Sequence, residues 1–246
     1  MRKLTPFAIP ALAGLLWLAS PVTVRLSAEG AASQHWARDN DEGPKETERV
    51  DRTVQIRSGG ELKLKNFSGH VTITGSNRGD MAVHAVRRAP RERLDHIKLD
   101  IAETASGVTI EANKKDSDWS ERNNNVVETD LTIEAPADIA LDIDVFSSDV
   151  EVRDIRGQQR VKTFSGTIEL AGGEKSIDAE TFSGDINVKL VQGASASVDF
   201  NSFSGSIKTD VPMSYRSSGG RHVRAEIGAG GADYRFKTFS GDVRIR

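Results

Sequence analysis

Ser165, Ser183, Ser204 and Ser240 each stand between a phenylalanine and a glycine. A serine held in a glycine-supported turn is how acyl-transfer enzymes expose a nucleophile, so this is the first chemistry to weigh. The esterase elbow needs Gly-x-Ser-x-Gly, with glycine two residues to either side of the serine, so that its strained turn can close. Here the glycine follows directly, and Thr163, Thr181, Ser202 and Thr238 occupy the earlier place. A nucleophile repeated at regular intervals also has no chemical use. The serines read as structural.

Metal chemistry fares no better. His35, His70, His84, His96 and His222 are scattered without paired spacing, and the chain has no cysteine to supply a thiolate. The string GAGGAD at 228–233 comes nearest to a calcium-binding Gly-Gly-x-Gly-x-Asp repeat, but it occurs once and with different spacing, as a surface turn would. Polysaccharide cleavage requires two carboxylates, or a carboxylate and a base, converging on one face. Asp149, Glu151, Glu169 and Asp185 form the acidic set closest to that description. Lys208 and Arg244 hold equivalent places elsewhere, so the signs are mixed. No residue is singled out as catalytic, cofactor-binding or metal-ligating.

What the Phe-Ser-Gly copies do mark is a repeat. The motif or its variant begins at Phe67, Phe146, Phe164, Phe182, Phe203 and Phe239; from Phe146 onward the steps are 18, 18, 21 and 36 residues. Three residues before each Phe lies an apolar residue (Ala179 among them), and four after lies Val or Ile. Each unit therefore reads as a strand, a corner and a second strand. Units of this kind cannot bury a face alone and stack into a solenoid. The expected fold is all-β: a right-handed parallel β-helix of about 18-residue coils stacked in chain order, with the last 36-residue step holding a degenerate coil. A left-handed hexapeptide helix would need an apolar residue every six positions, which Ser176 breaks.

The apolar residue and the Phe are three apart, which breaks strict alternation. A bulge at the corner would let both point inward, stacking the phenylalanines as an internal column. Gly69, Gly166, Gly184, Gly205 and Gly241 would accommodate the tight backbone, and the serines would bond main chain. Arg244 and Arg246, on the last strand, would guard an exposed sheet edge. Phe67 and Phe146 lie 79 residues apart, so the region over 75–140 is expected to be a less regular β region, with one short helix at 90–97 and an exposed loop at 114–125.

The chain has 246 residues, 22 of them glycine, an aromatic share of 6% and a net charge of −3. A thin, turn-rich β core suits those numbers, and the balanced charge argues against a nucleic-acid partner. Arg2 and Lys3 precede an uncharged run from Leu4 to Val24, which reads as a signal peptide over 1–28, with an uncleaved membrane anchor as the alternative. Residues 29–48 are polar and aperiodic, as in a disordered linker. The folded domain is expected over 49–246, with its regular repeats over 141–246.

The recurring TFSGDI units and the ending IGAGGADYRFKTFSGDVRIR resemble the bacterial adhesin-like family known as the toast-rack domain, a domain of unknown function. The likeness spans about 60–246. It implies a single solenoid, exported or membrane-tethered, and carries over no catalytic or ligand residue. Asn66, Val145 and Ser148 depart from its pattern, which implies looser corners there. The expected role is a non-enzymatic envelope protein, periplasmic or extracellular, whose surface binds an envelope protein or polysaccharide and needs no cofactor. A polysaccharide-active enzyme and a sensor of envelope stress are the competing readings.

Overall fold

The computed structural model describes residues 23–27, 44–119, 126–219 and 221–246. Most of the leader expected over 1–28 and of the linker expected over 29–48 lies outside them, as does the tip of the 114–125 loop. From Lys45 onward the range expected to be linker is strand. In chain order the elements are β1 (Thr23–Ser27), β2 (Lys45–Gln55), β3 (Glu61–Ser76), β4 (Asp80–Pro90), α1 (Arg91–His96), β5 (Ile97–Glu103), β6 (Gly107–Lys115), β7 (Glu128–Pro136) and β8 (Ala140–Ile155). There follow β9 (Gln159–Ser165), β10 (Ile168–Gly172), β11 (Ile177–Ser183), β12 (Ile186–Leu190), β13 (Ala196–Ser204), β14 (Ile207–Thr209), β15 (Met213–Gly219), β16 (His222–Ile227), β17 (Ala232–Ser240) and β18 (Val243–Ile245).

Strict alternation makes these strands. In β3, Leu62 and Leu64 are buried while Lys63 and Lys65 are exposed, and Val71 and Ile73 repeat the inward pattern beyond the corner. The one helix follows Pro90, whose φ of −55° suits a first helical turn. Leu94 is buried there, and Arg91 pairs with Asp95 across one turn at 3.0 Å.

The long strands β3 and β8 bend at their Phe corners and so belong to two sheets. The first runs β5–β6–β3–β8–β9–β11–β17–β13–β16–β15 and is parallel from β6 to β13. The second runs β1–β2–β4–β7–β3–β8–β10–β12–β18–β14 and is parallel from β7 to β14. Inward residues of both sheets, Ile143, Ile168 and Ile186 among them, meet in one core cluster. Burying each such side chain contributes roughly 1.5–3 kcal/mol.

Two expectations about the stacking order are overturned. Ile177 is in register with Gln159 on one side and with Tyr234 on the other, while Tyr234 is also in register with Val198. The C-terminal unit β17–β18 is therefore inserted between β11–β12 and β13–β14. The last 36-residue step holds no degenerate coil. It holds β14 and the antiparallel hairpin β15–β16, in which β16 also pairs antiparallel with β13. Consequently β18, with Arg244 and Arg246 at its end, is no edge strand; it is hydrogen-bonded to β12 and β14. The second sheet ends instead at the three-residue β14, and a short edge strand is itself a protection against strand addition.

Charge explains why the last unit goes where it does. Along the outer face of the first sheet, Lys63, Asp142, Arg160, Asp178, Arg235 and Asp199 are successive cross-strand neighbours of alternating sign. Stacking in chain order would set Asp178 against Asp199, and like charges directly opposite are destabilising. A second row two residues on repeats the pattern, with Glu180 between Lys162 at 3.3 Å and Lys237 at 2.7 Å.

Candidate functional site

The outer face of the first sheet carries the feature that sequence reasoning placed inside. Val161 and Thr163 point inward, so Lys162 and Phe164 point outward by plain alternation, with the pairing from Val145↔Thr163 to Ser147↔Ser165 in continuous register. No bulge turns the ring inward. The expected internal Phe column is thus an external one: Phe67, Phe146, Phe164, Phe182, Phe203 and Phe239 are each between 40% and 55% exposed. At four of the six corners the inward place beside the Phe is filled by a small polar residue, with Asn66 and Val145 at the other two. Thr163, Thr181, Ser202 and Thr238 are buried, and Thr163 Oγ1 donates to the Ser148 carbonyl at 3.2 Å. That hydroxyl, and not the exposed serine after the Phe, braces the corner.

The rings form one ladder. In spatial order Phe67, Phe146, Phe164, Phe182, Phe239 and Phe203 have successive centroids 4.8, 4.8, 4.8, 4.6 and 4.7 Å apart. The planes of all but the first pair lie within 6° of one another. Strand spacing sets the repeat, so the stripe is about 24 Å long. Stacking covers the ring faces and leaves their edges outward. Each stacked pair adds roughly 0.5–1.5 kcal/mol. At one end the Arg221 guanidinium sits 4.7 Å from the Phe203 centroid, a cation–π contact that covers the terminal ring.

Beside the ladder runs a groove of about 660 Å³. Its far wall is the row Lys65, Asp144, Lys162, Glu180 and Lys237, and its floor includes Thr163, Thr181 and Thr238. The hydrogen bond from Lys237, reinforced by Lys162, holds the Glu180 carboxyl below its ordinary range. The groove is therefore amphipathic, with aromatic edges facing a line of fixed, alternating charges.

The corner glycines have a stricter reason than a tight turn. A Cβ on Gly166 would lie 2.1 Å from the Ser148 carbonyl oxygen, and one on Gly184 would lie 2.1 Å from the Gly166 oxygen. The equivalent contacts are 1.9 Å for Gly241, 2.0 Å for Gly205 and 2.2 Å for Gly69. Each glycine leaves room for the backbone of the next coil. Two of the departures from the family pattern are mutually satisfied: Asn66 Nδ2 donates to the Thr129 carbonyl at 2.9 Å and to Ser148 Oγ at 3.4 Å.

Of the acidic set, Asp149 and Asp185 are engaged in the corners, while Glu151 and Glu169 are cross-strand neighbours in the strands beyond and line one groove with Arg153. Asp149 Oδ1 accepts the Thr167 N–H at 2.8 Å, and Asp185 Oδ1 accepts the Asp242 N–H at 2.8 Å. Asp242 in turn accepts from Ser206 N and Oγ, each at 2.9 Å, and from Lys208 Nζ at 2.9 Å. Led by the Lys208 bond, these lower its carboxyl to about 2. Glu151 pairs with Arg153. Three histidines stand beside aspartates on separate strands: His84 with Asp51 at 2.6 Å, His222 with Asp199 at 3.1 Å, and His70 with Asp130 at 3.5 Å.

Sequence reasoning named every rung of the ladder and missed its facing. The available signal was the odd spacing of three from a buried Val161 to Phe164, together with Lys162 or its equivalent two residues before each ring.

The family model described as Toastrack DUF4097 matches residues 44–246. Among curated proteins none matches. A solved structure of a candidate cell adhesion protein from Clostridium sporogenes aligns with a TM-score of 0.61 at 11% identity, covering 81% of this chain and 98% of that one. At such identity the likeness concerns the fold alone. A candidate adhesin from Bacteroides fragilis aligns over 80% of this chain and 97% of its own, at 10% identity and a TM-score of 0.33, too low to bear on the fold.

Proposed function

We propose, for a chain that belongs to the Toastrack DUF4097 family, an adhesin-like and non-enzymatic role in which the outer face of the first sheet is the binding surface. The observation that carries this reading is the exposed ladder of six phenylalanines with its adjoining groove. Monomeric soluble proteins rarely expose contiguous apolar patches beyond a few hundred Å², and those that do usually bind something there. The name of the Clostridium sporogenes structure points the same way. In this reading the chain is exported by its N-terminal segment to the envelope, either released or tethered. Its units wind as right-handed coils of about 18 residues, a length supported by registers such as Ile168↔Ile186.

Ring geometry favours a protein partner over a polysaccharide. Sugars stack on free aromatic faces, and here the faces are turned to one another. Ring edges suit apolar side chains, and the charged wall supplies orientation.

Retention of the full chain on cell-envelope fractions, before and after protease treatment, tests this reading alongside the double variant Phe164→Ser/Phe182→Ser. Wild type should be retained, and both the variant and the protease-treated fractions should lose most of that retention. Equal retention of the variant, or release of saccharide products, overturns it; in the second case Asp149, Glu151, Glu169 and Asp185 become the residues to mutate.

A further inference from the structure

We infer that the partner of this face is a second copy of the chain, packed about a two-fold axis that lies parallel to the strands and passes between β9 and β11. The inference rests on the binding role of the Phe face and specifies its partner.

An axis in that direction maps each residue row onto the same row of the partner and reverses the order of the strands. The Phe ladder then packs along the partner's Phe ladder. Six strands take part on each side: β3, β8, β9, β11, β17 and β13. The first strand faces the sixth, the second faces the fifth, and the third faces the fourth. An alternating row with an even number of places becomes complementary to itself under this reversal. In the outer row, Lys63 meets the partner's Asp199, Asp142 the partner's Arg235, and Arg160 the partner's Asp178. In the row beside the groove, Asp144 meets the partner's Lys237 and Lys162 the partner's Glu180, while Lys65 meets the partner's Asn201, an uncharged residue. No like charges oppose one another in either row.

An axis between another pair of strands keeps unlike charges opposed but leaves part of the ladder uncovered. An axis through a strand, instead of between two, sets like against like on both sides of it. An axis along the ladder keeps ring on ring but carries both charge rows to its far side, away from the partner's rows. Closed two-fold contacts of this self-matching kind are the commonest form of homo-oligomer. The face measures about 24 Å between its outer strands and about 14 Å from the outer charge row to the ladder. With side-chain reach at its margins it approaches the roughly 800 Å² per partner of a standard interface. Apolar edges supply the affinity and the charges fix the register, since exposed ion pairs add little by themselves.

Sedimentation of the full chain over a concentration series tests the inference, with Lys162→Glu and Glu180→Lys made separately and then mixed. Wild type should show a monomer–dimer equilibrium, and each single variant should associate at least about tenfold more weakly. In a homodimer of Lys162→Glu, the introduced carboxylate faces the partner's Glu180 twice; in a homodimer of Glu180→Lys, the introduced ammonium faces the partner's Lys162 twice. The mixture opposes carboxylate to ammonium at both places and should recover association to within about threefold of wild type. Contacts within one chain cannot produce that recovery. Thermal melts of each variant confirm folding, and Phe164→Ser/Phe182→Ser should remain monomeric. A wild-type chain that stays monomeric overturns the self-recognition. If its Phe-dependent retention on envelope fractions persists, the binding role stands with a different partner; if both are lost, both readings fall. Association that the charge variants leave unchanged, or that mixing does not recover, overturns the two-fold arrangement.

Discussion

Replacing Gly184 by alanine isolates the contact that lets one coil lie on the next. The added methyl would sit 2.1 Å from the Gly166 carbonyl oxygen, where ordinary carbon–oxygen contacts begin above 3 Å. The neighbouring strands must separate by about 1 Å to admit it, against a normal spacing near 4.8 Å. Two backbone hydrogen bonds cross this gap, from Gly166 N to Ser183 O at 3.1 Å and from Ile168 N to Asp185 O at 2.9 Å. Weakening them costs about 0.5–1.5 kcal/mol each, and overpacking adds about 1–3 kcal/mol. The φ of +146° adds backbone strain of about 1–3 kcal/mol. These terms overlap, and a total near 4 kcal/mol is expected. Gly193 provides the control. Its φ is +78°, but nothing lies within 4 Å of an added Cβ, so Gly193→Ala should cost only the left-handed strain of about 1–2 kcal/mol. Urea midpoints of the two variants, measured with unchanged slopes, read the difference. Destabilisation equal within about 0.5 kcal/mol would refute the argument that coil contact selects glycine here.

Phe182→Ala removes a half-exposed ring stacked on two neighbours and should cost about 1–3 kcal/mol, where a fully buried ring would cost about 3–5 kcal/mol; the urea midpoint discriminates the two. Arg87 is buried, paired with Glu48 and bonded to the Ile97 carbonyl, and burial lowers its pKa. Removing the partner leaves a buried cation, so Glu48→Ala should cost about 3 kcal/mol and Arg87→Met distinctly less, in the same urea assay. Asp242, lowered to about 2 from an ordinary 3.8, has a depressed folded pKa; its contribution is full above about pH 4 and is lost as pH falls toward 2. Wild type should therefore lose more stability between pH 5 and pH 2 than Asp242→Asn does, and identical losses would remove Asp242 from that account.

The strand–corner–strand unit was legible because alternation and glycine punctuation are local properties. Leu62, Leu64, Val71 and Ile73 announce their facing without reference to anything distant. The helix at α1 was legible for the same reason, through Pro90 and Leu94. The facing of the phenylalanines is hidden because the general tendency of aromatic rings to be buried opposes the local count. From Val161 the alternation puts Thr163 in and Phe164 out, and only a bulge at the corner would reverse that. The order of stacking was misread because a period in the sequence says which segments are alike and not which are adjacent. Adjacency lay in the charges: Asp178 and Asp199 repel as neighbours, whereas either accepts Arg235. A tight turn is only part of what the corner glycines serve, since the atom that a Cβ on each would meet belongs to another coil.

The same alternation acts at two levels of organisation. Within a chain it selects the intercalated order, because Arg235 and Lys237 fit between two acidic or neutral neighbours and fit less well at the end of the stack. Between chains it makes the face complementary to its own reversed copy, because six is an even number of places. Intercalation is what links the two. In chain order, Asp178 and Asp199 would occupy adjacent places and the outer row would no longer alternate, so the reversed copy would set unlike charges together at some positions and like charges at others. An order of strands that satisfies the folded chain is then also the order that gives its exposed aromatic stripe a defined partner and register. A bare ladder of phenylalanine edges would attract any apolar surface; flanked by these rows, it discriminates.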